Sequence, residues 1–102
     1  MKWAVSIHPG VKDDIWETAD YYAAIDAELA ERFIIEARSA SSFIRQYPNV
    51  GHILHGEYRR VVLKGFPYML CYQIIGHLVI VIAIIHCSRD PEWVRSKLTS
   101  RT

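Results

Sequence analysis

Residues 68–87 read YMLCYQIIGHLVIVIAIIHC, two apolar runs joined by Gly76-His77. Tyr68–Ile75 and Leu78–Cys87 are rich in β-branched and aromatic residues, which suit a pleated, half-buried surface. A two-residue connection with glycine first fits a type II′ hairpin, whose first loop position requires positive φ. Ile75 then lies opposite Leu78, and the same register continued along both strands sets Cys71 opposite Ile82. Cys71 would share a face with Met69, Ile75, Leu78 and Ile84. Cys87, of opposite parity, would point to the other face with Tyr68, Leu70 and Tyr72. On that reading the two cysteines cannot form a disulfide, and both are small core residues.

Working back from the hairpin, Glu57–Lys64 is a further strand, broken by Gly65-Phe66-Pro67. Before it the apolar period changes from two to near 3.6. Leu29, Phe33, Ala37, Ala40, Ile44 and Tyr47 make one stripe, with Asp26 as N-cap and Pro48 ending the helix by Tyr47. Val11, Ile15, Ala19 and Tyr22 make another, entered through Pro9. Trp3–His8 alternates as a first strand, with Trp3, Val5 and Ile7 on one side. Asn49-Val50-Gly51 reads as a turn, and a short C-terminal helix begins near Pro91. The fold class is α+β in β-α-α-β-β-β order, an N-terminal helical hairpin packed on an antiparallel sheet.

At 102 residues the chain has room for one domain spanning 1–102. Its longest apolar run, Leu78–Ile85, is eight residues, far short of the roughly 20 needed to span a bilayer. The opening Met1-Lys2-Trp3-Ala4-Val5 meets Pro9-Gly10 without a signal peptide's apolar region, so a cytoplasmic location is expected. Twelve basic and 11 acidic residues leave a net charge of +1. Phosphate-led nucleic-acid binding usually brings a clear basic excess, so the balance weighs against a nucleic-acid-cutting role unless cations cluster locally.

His52 and His55 are three apart in a glycine-bounded segment, with Glu57 the nearest carboxylate, and read as solvated loop histidines. Nothing has the spacing of a closed zinc set, so neither metal nor cofactor is expected. Ser88 follows His86 by two residues but lacks a glycine-flanked elbow. Asp13 and Asp14 suit the positive end of a helix. Two features hold more interest. Of Arg59-Arg60, one arginine should face the helices and the other the open sheet face or its edge, where a solvated role is the plain alternative. His86, Arg89, Asp90, Pro91 and Trp93 follow directly on the most apolar strand, where a site would be rigidly held. Alternatively Arg89 bonds loop carbonyls and Trp93 caps the core.

Pro9, Asp14-Ile15, Tyr21-Tyr22, Ala30, Phe33, Pro48, Gly51, Arg59-Arg60, Phe66-Pro67-Tyr68, Tyr72 and His86-Cys-Ser-Arg89-Asp-Pro91-Glu-Trp93 form an ordered series across nearly the whole chain. The series resembles the RelE/ParE superfamily of type II toxin–antitoxin systems, closer to its ParE-like members. The resemblance implies a growth-inhibiting, plasmid-stabilization type of toxin and a cognate antitoxin. RelE-like members are ribosome-dependent endoribonucleases that cleave mRNA, whereas ParE-like members inhibit DNA gyrase. RNA cleavage needs groups that activate the 2′-hydroxyl, stabilise the phosphate and protonate the leaving oxygen. Aligned on Tyr72-Gln73, the position where RelE-like enzymes carry arginine is Met69, and no tyrosine follows Tyr72. Gyrase is the expected target, with Arg59, Arg60, Lys64, His86, Arg89 and Trp93 as target-binding candidates and no catalytic set assigned. The alternatives are a ribosome-dependent nuclease using these cations, or a decayed toxin that only assists its antitoxin at operator DNA.

Overall fold

Pro9 adopts φ −55° at the N-cap position, already set for the helix Gly10–Ala23 (α1). In the computed structural model, which describes residues 3–102, α1 follows a short strand, Ala4–Ile7 (β1). Met1 and Lys2 of the opening segment lie outside the described residues. Asp26 is extended and its carboxylate accepts from the Glu28 N–H at 2.9 Å, starting helix Ala27–Gln46 (α2) as its sequence foretells. The chain then forms a single 3₁₀ turn, Pro48–Val50, strands His52–His55 (β2), Tyr58–Val62 (β3), Tyr68–Ile75 (β4) and Leu78–His86 (β5), and helix Pro91–Ser100 (α3). The α+β class and the order of elements agree with the sequence reading.

Sheet order is β1-β5-β4-β3-β2, and three features go beyond that reading. β1 joins β5 in parallel, so the sheet is mixed; the long connection between them permits it, where a tight hairpin could not. The histidine segment read as a loop is β2, pairing Ile53 with Arg59 and His52 with Arg60. Its mostly exposed side chains give no apolar alternation to read. What straightens it is its approach. The buried Tyr72 hydroxyl donates to the Pro48 carbonyl at 2.6 Å and accepts from the Gly51 N–H at 2.9 Å. Arg59 Nη1 donates to the Asn49 and Gly51 carbonyls. A Cβ on Gly51 would lie 2.4 Å from that hydroxyl oxygen, so only glycine passes here.

The third feature is a bulge. The β4–β5 register begins as expected from Ile75 opposite Leu78, with Gly76 at φ +60°, but Tyr72 pairs with Val81 and Cys71 with Ala83. Ile82 is the extra residue. Beyond it every side chain changes face, so Cys71 does not oppose Ile82, and Ile84 packs with Leu70 and Tyr72 instead. Cys87 returns to the side of Met69 and Cys71, contrary to the parity argument, and is exposed rather than core. Both thiols are free. Four strand residues, roughly 13 Å at about 3.3 Å each, still separate the two pairing levels, too far for a disulfide.

Two apolar layers result. The helical hairpin covers one sheet face through Phe33, Ala37 and Ile44, packed against Leu70, Tyr72 and Val81. Val94 and Leu98 of α3 cover part of the other face, against Met69, Cys71, Ile82 and Ile85. Asp14 does more than suit helix polarity. Its carboxylate receives Arg101 in a bidentate pair at 2.7 and 3.0 Å.

Candidate functional site

Uncovered sheet between β2 and α3 leaves a groove of about 590 Å³. Leu54, Met69, Val94 and Leu98 form its apolar floor, and Arg60, Arg89 and Arg95 stand around it with His52 and His55. Glu92 is the single carboxylate among the lining residues. Arg95 reaches across from α3 to within 3.4 Å of His55 Nδ1, while its ion pair with Glu92 spans 4.0 Å in solvent. Such an exposed pair leaves the guanidinium available. The groove therefore combines greasy contact area with three positive charges, from β3, the turn after β5 and α3.

Beside it runs a ridge. Arg89 Cζ lies 4.2 Å from the Trp93 ring centroid and Lys97 Nζ lies 5.6 Å from it, so the indole is bracketed by cations. Trp93 is 38% exposed, and its helix neighbours Val94 and Leu98 pack into the second apolar layer. Arg89 bonds through its own N–H to the His86 carbonyl, closing the turn between β5 and α3.

Of the other candidates, only Arg60 reaches the groove. Arg60 and Arg59 take opposite faces, as strand alternation requires. Arg59 is bound to the turn carbonyls named above. Lys64 lies along α2 with Glu36 and Phe43. His86 stacks edge-on with Tyr68 at 4.9 Å, and its Nδ1 accepts from the Ser88 N–H at 3.0 Å, so the His86–Ser88 couple closes a local turn. The sequence singles out neither Arg95 nor Arg101, and it gives no sign of their contacts with His55 and Asp14, because chain neighbours do not report contacts across the fold. Among the described residues no group of three or more His, Cys, Asp or Glu is placed to hold a metal.

Cys71 beneath the groove is no nucleophile. Burial first, then the Cys87 thiol, push its pKa up to about 12, against a smaller opposing influence from Arg60. The unfolded chain ionises this thiol first as pH rises, so the folded state loses stability between pH 9.0 and about 12. The expected slope is up to about 1.4 kcal/mol per pH unit. Urea unfolding followed from pH 9 to 11 should show a shallower decline for Cys71→Ala than for the parent, and equal declines would refute this origin.

Residues 5–91 match the family model described as ParE toxin of type II toxin-antitoxin system, parDE. This chain belongs to the ParE toxin family. It is 28% identical over 103 aligned residues to Toxin ParE2 of two Mycobacterium tuberculosis strains, CDC 1551 / Oshkosh and H37Rv, covering 100% of this chain and 98% of each relative. Its fold is similar to that in the chromosomal ParDE TA system from P. aeruginosa, with TM-score 0.74 at 15% identity over 83% of this chain and 96% of the other. A double mutant of E. coli toxin RelE in the free state superimposes with TM-score 0.66 at 15% identity, covering 99% and 98% of the two chains.

Met69 at the floor of the groove is 4% exposed and apolar. No helix among the described residues is long and apolar enough to cross a membrane.

Proposed function

We propose that this ParE toxin, acting as a single domain in the cytoplasm, arrests growth by binding DNA gyrase and performs no chemical step of its own. The observation that carries the reading is the dispersal of the polar candidates. Arg59 is consumed by turn carbonyls, while Lys64 and His86 lie away from the groove that holds Arg60 and Arg89. A proton-transfer set requires its members around one reacting atom. Blocking another enzyme requires a contact surface, and arginine and tryptophan are the side chains that most often dominate one. The Arg89–Trp93–Lys97 ridge supplies both.

Exposed Trp16, Tyr21, Ile35, Phe43 and Tyr47 along the helical hairpin favour a cognate antitoxin that covers apolar surface and folds on binding. Co-expression with the adjacent reading frame should recover that complex. Purified toxin in excess should reduce supercoiling by purified gyrase. Undiminished supercoiling, by a preparation shown to arrest growth, would remove gyrase as the target.

One observation favours a second reading. Three arginines in one groove suit an RNA backbone, and a ribosome-dependent endoribonuclease would leave mRNA ends at the ribosomal A site after induction. Normal growth despite confirmed soluble expression would instead indicate a decayed toxin serving only its antitoxin.

A further inference from the structure

We infer that Asp14 and Arg101 are positioning residues for the target surface, their ion pair standing in for a missing stretch of β1 and fixing α3 on the sheet. The inference rests on the reading of Arg89 and Trp93 as that surface. β1 pairs with β5 only as far as Ile7 opposite Val81, and the His8 N–H closes on the Val81 carbonyl. β5 continues to His86 with that edge uncovered and a bulge at Ile82. There the Ile84 N–H donates to Asp14 Oδ2 at 3.0 Å, and Arg101 Nη1 donates to the Ile82 carbonyl at 2.9 Å. The two side chains thus present an acceptor and a donor where a neighbouring strand would, and their own bidentate pair joins them.

The pair is sheltered, with side chains 12% and 11% exposed. A Cβ at Gly10 would lie 2.6 Å from Arg101 Cζ, so the first turn of α1 is cut away for the guanidinium. Arg101 is the C-cap residue of α3. It anchors one end of the helix that carries Trp93, Arg95 and Lys97. The second tie at that end, Tyr58 hydroxyl to Thr102 Oγ1 at 2.8 Å, is neutral and exposed, hence weak. Val94 and Leu98 hold α3 to the sheet by apolar packing, and the Asp14–Arg101 pair ties the angle at which the helix presents its cations to α1.

Amide exchange by mass spectrometry, run beside a growth assay, tests the assignment. In Arg101→Ala, exchange over residues 91–100 should accelerate at least about tenfold while residues 30–44 of α2 stay protected, with growth arrest falling in step. Arg101→Lys keeps one donor and should restore both readouts in part. The reversed pair D14R/R101D should restore neither, because it would aim a donor at the Ile84 N–H and an acceptor at the Ile82 carbonyl. Unchanged exchange over 91–100 in Arg101→Ala overturns the inference, and so does full recovery in the reversed pair. If Arg101→Ala loosens α2 as well, Arg101→Lys decides, and loosening of α2 in both variants overturns it. A parent chain that fails to arrest growth refutes the functional reading alone, since the exchange pattern is judged independently.

Discussion

Replacing Phe33 with alanine is expected to destabilise the fold by about 3–5 kcal/mol, more than any other single truncation in the helical hairpin. Phe33 is fully buried, with ring centroids of Tyr22, Phe66 and Tyr68 at 5.7, 5.4 and 5.5 Å. Those three rings come from α1, the loop before β4 and β4 itself, so one side chain joins three separate parts of the chain. The buried residues of α2 on either side of it, Ala30 and Ala37, are too small to move into the space left behind. Small domains have only about 5–15 kcal/mol in total, so the loss is a large share. Urea denaturation should show a lower midpoint at an unchanged slope. Phe33→Leu, which refills much of the volume, should lose less than half as much. A loss under about 1 kcal/mol for the alanine variant would mean that the aromatic cluster is not the centre of the core.

Periodicity exposed this hairpin because each helix has one wet and one dry face. Phe33 and Ile44 fall on the same stripe, and Asp26 marks where the stripe begins. The same logic fails on β5. Every residue from Leu78 to Ile85 is apolar, since the strand is buried on both faces, and a run without alternation carries no parity. The bulge at Ile82 was therefore invisible, and with it the true side of Cys87. β2 was hidden for the opposite reason: its mostly exposed residues show no alternation, and it is held extended by Tyr72 and Arg59 from elsewhere in the chain. Arg89 and Trp93 could be singled out from sequence because they crowd the end of the most apolar strand. Arg101 could not, because its partner Asp14 is 87 residues away and neither residue is unusual among its own neighbours.

Replacing Arg89 with alanine is expected to abolish growth arrest while leaving the fold and antitoxin binding largely intact. The side chain is exposed, and among the described residues it forms no ion pair; its one close partner is the Trp93 ring at 4.2 Å. A cation–π contact at such a site is worth about 0.5–1 kcal/mol, so the cost to stability is small. An arginine at the centre of an interface commonly carries 2 kcal/mol or more of binding, roughly a 30-fold or greater loss of affinity for the target. Arg89→Lys keeps the charge but loses the flat guanidinium that lies over the indole, and should arrest growth at an intermediate level. Trp93→Ala is a second probe, to be read beside its unfolding midpoint because the ring is only 38% exposed. Loss of arrest in both variants, with antitoxin still captured from solution, would locate the target surface on this ridge rather than on the helical hairpin. An Arg89→Ala toxin that halts growth as fully as its parent at equal expression would exclude the ridge, and the target contact would then have to be sought among Arg60, Arg95 and the groove floor.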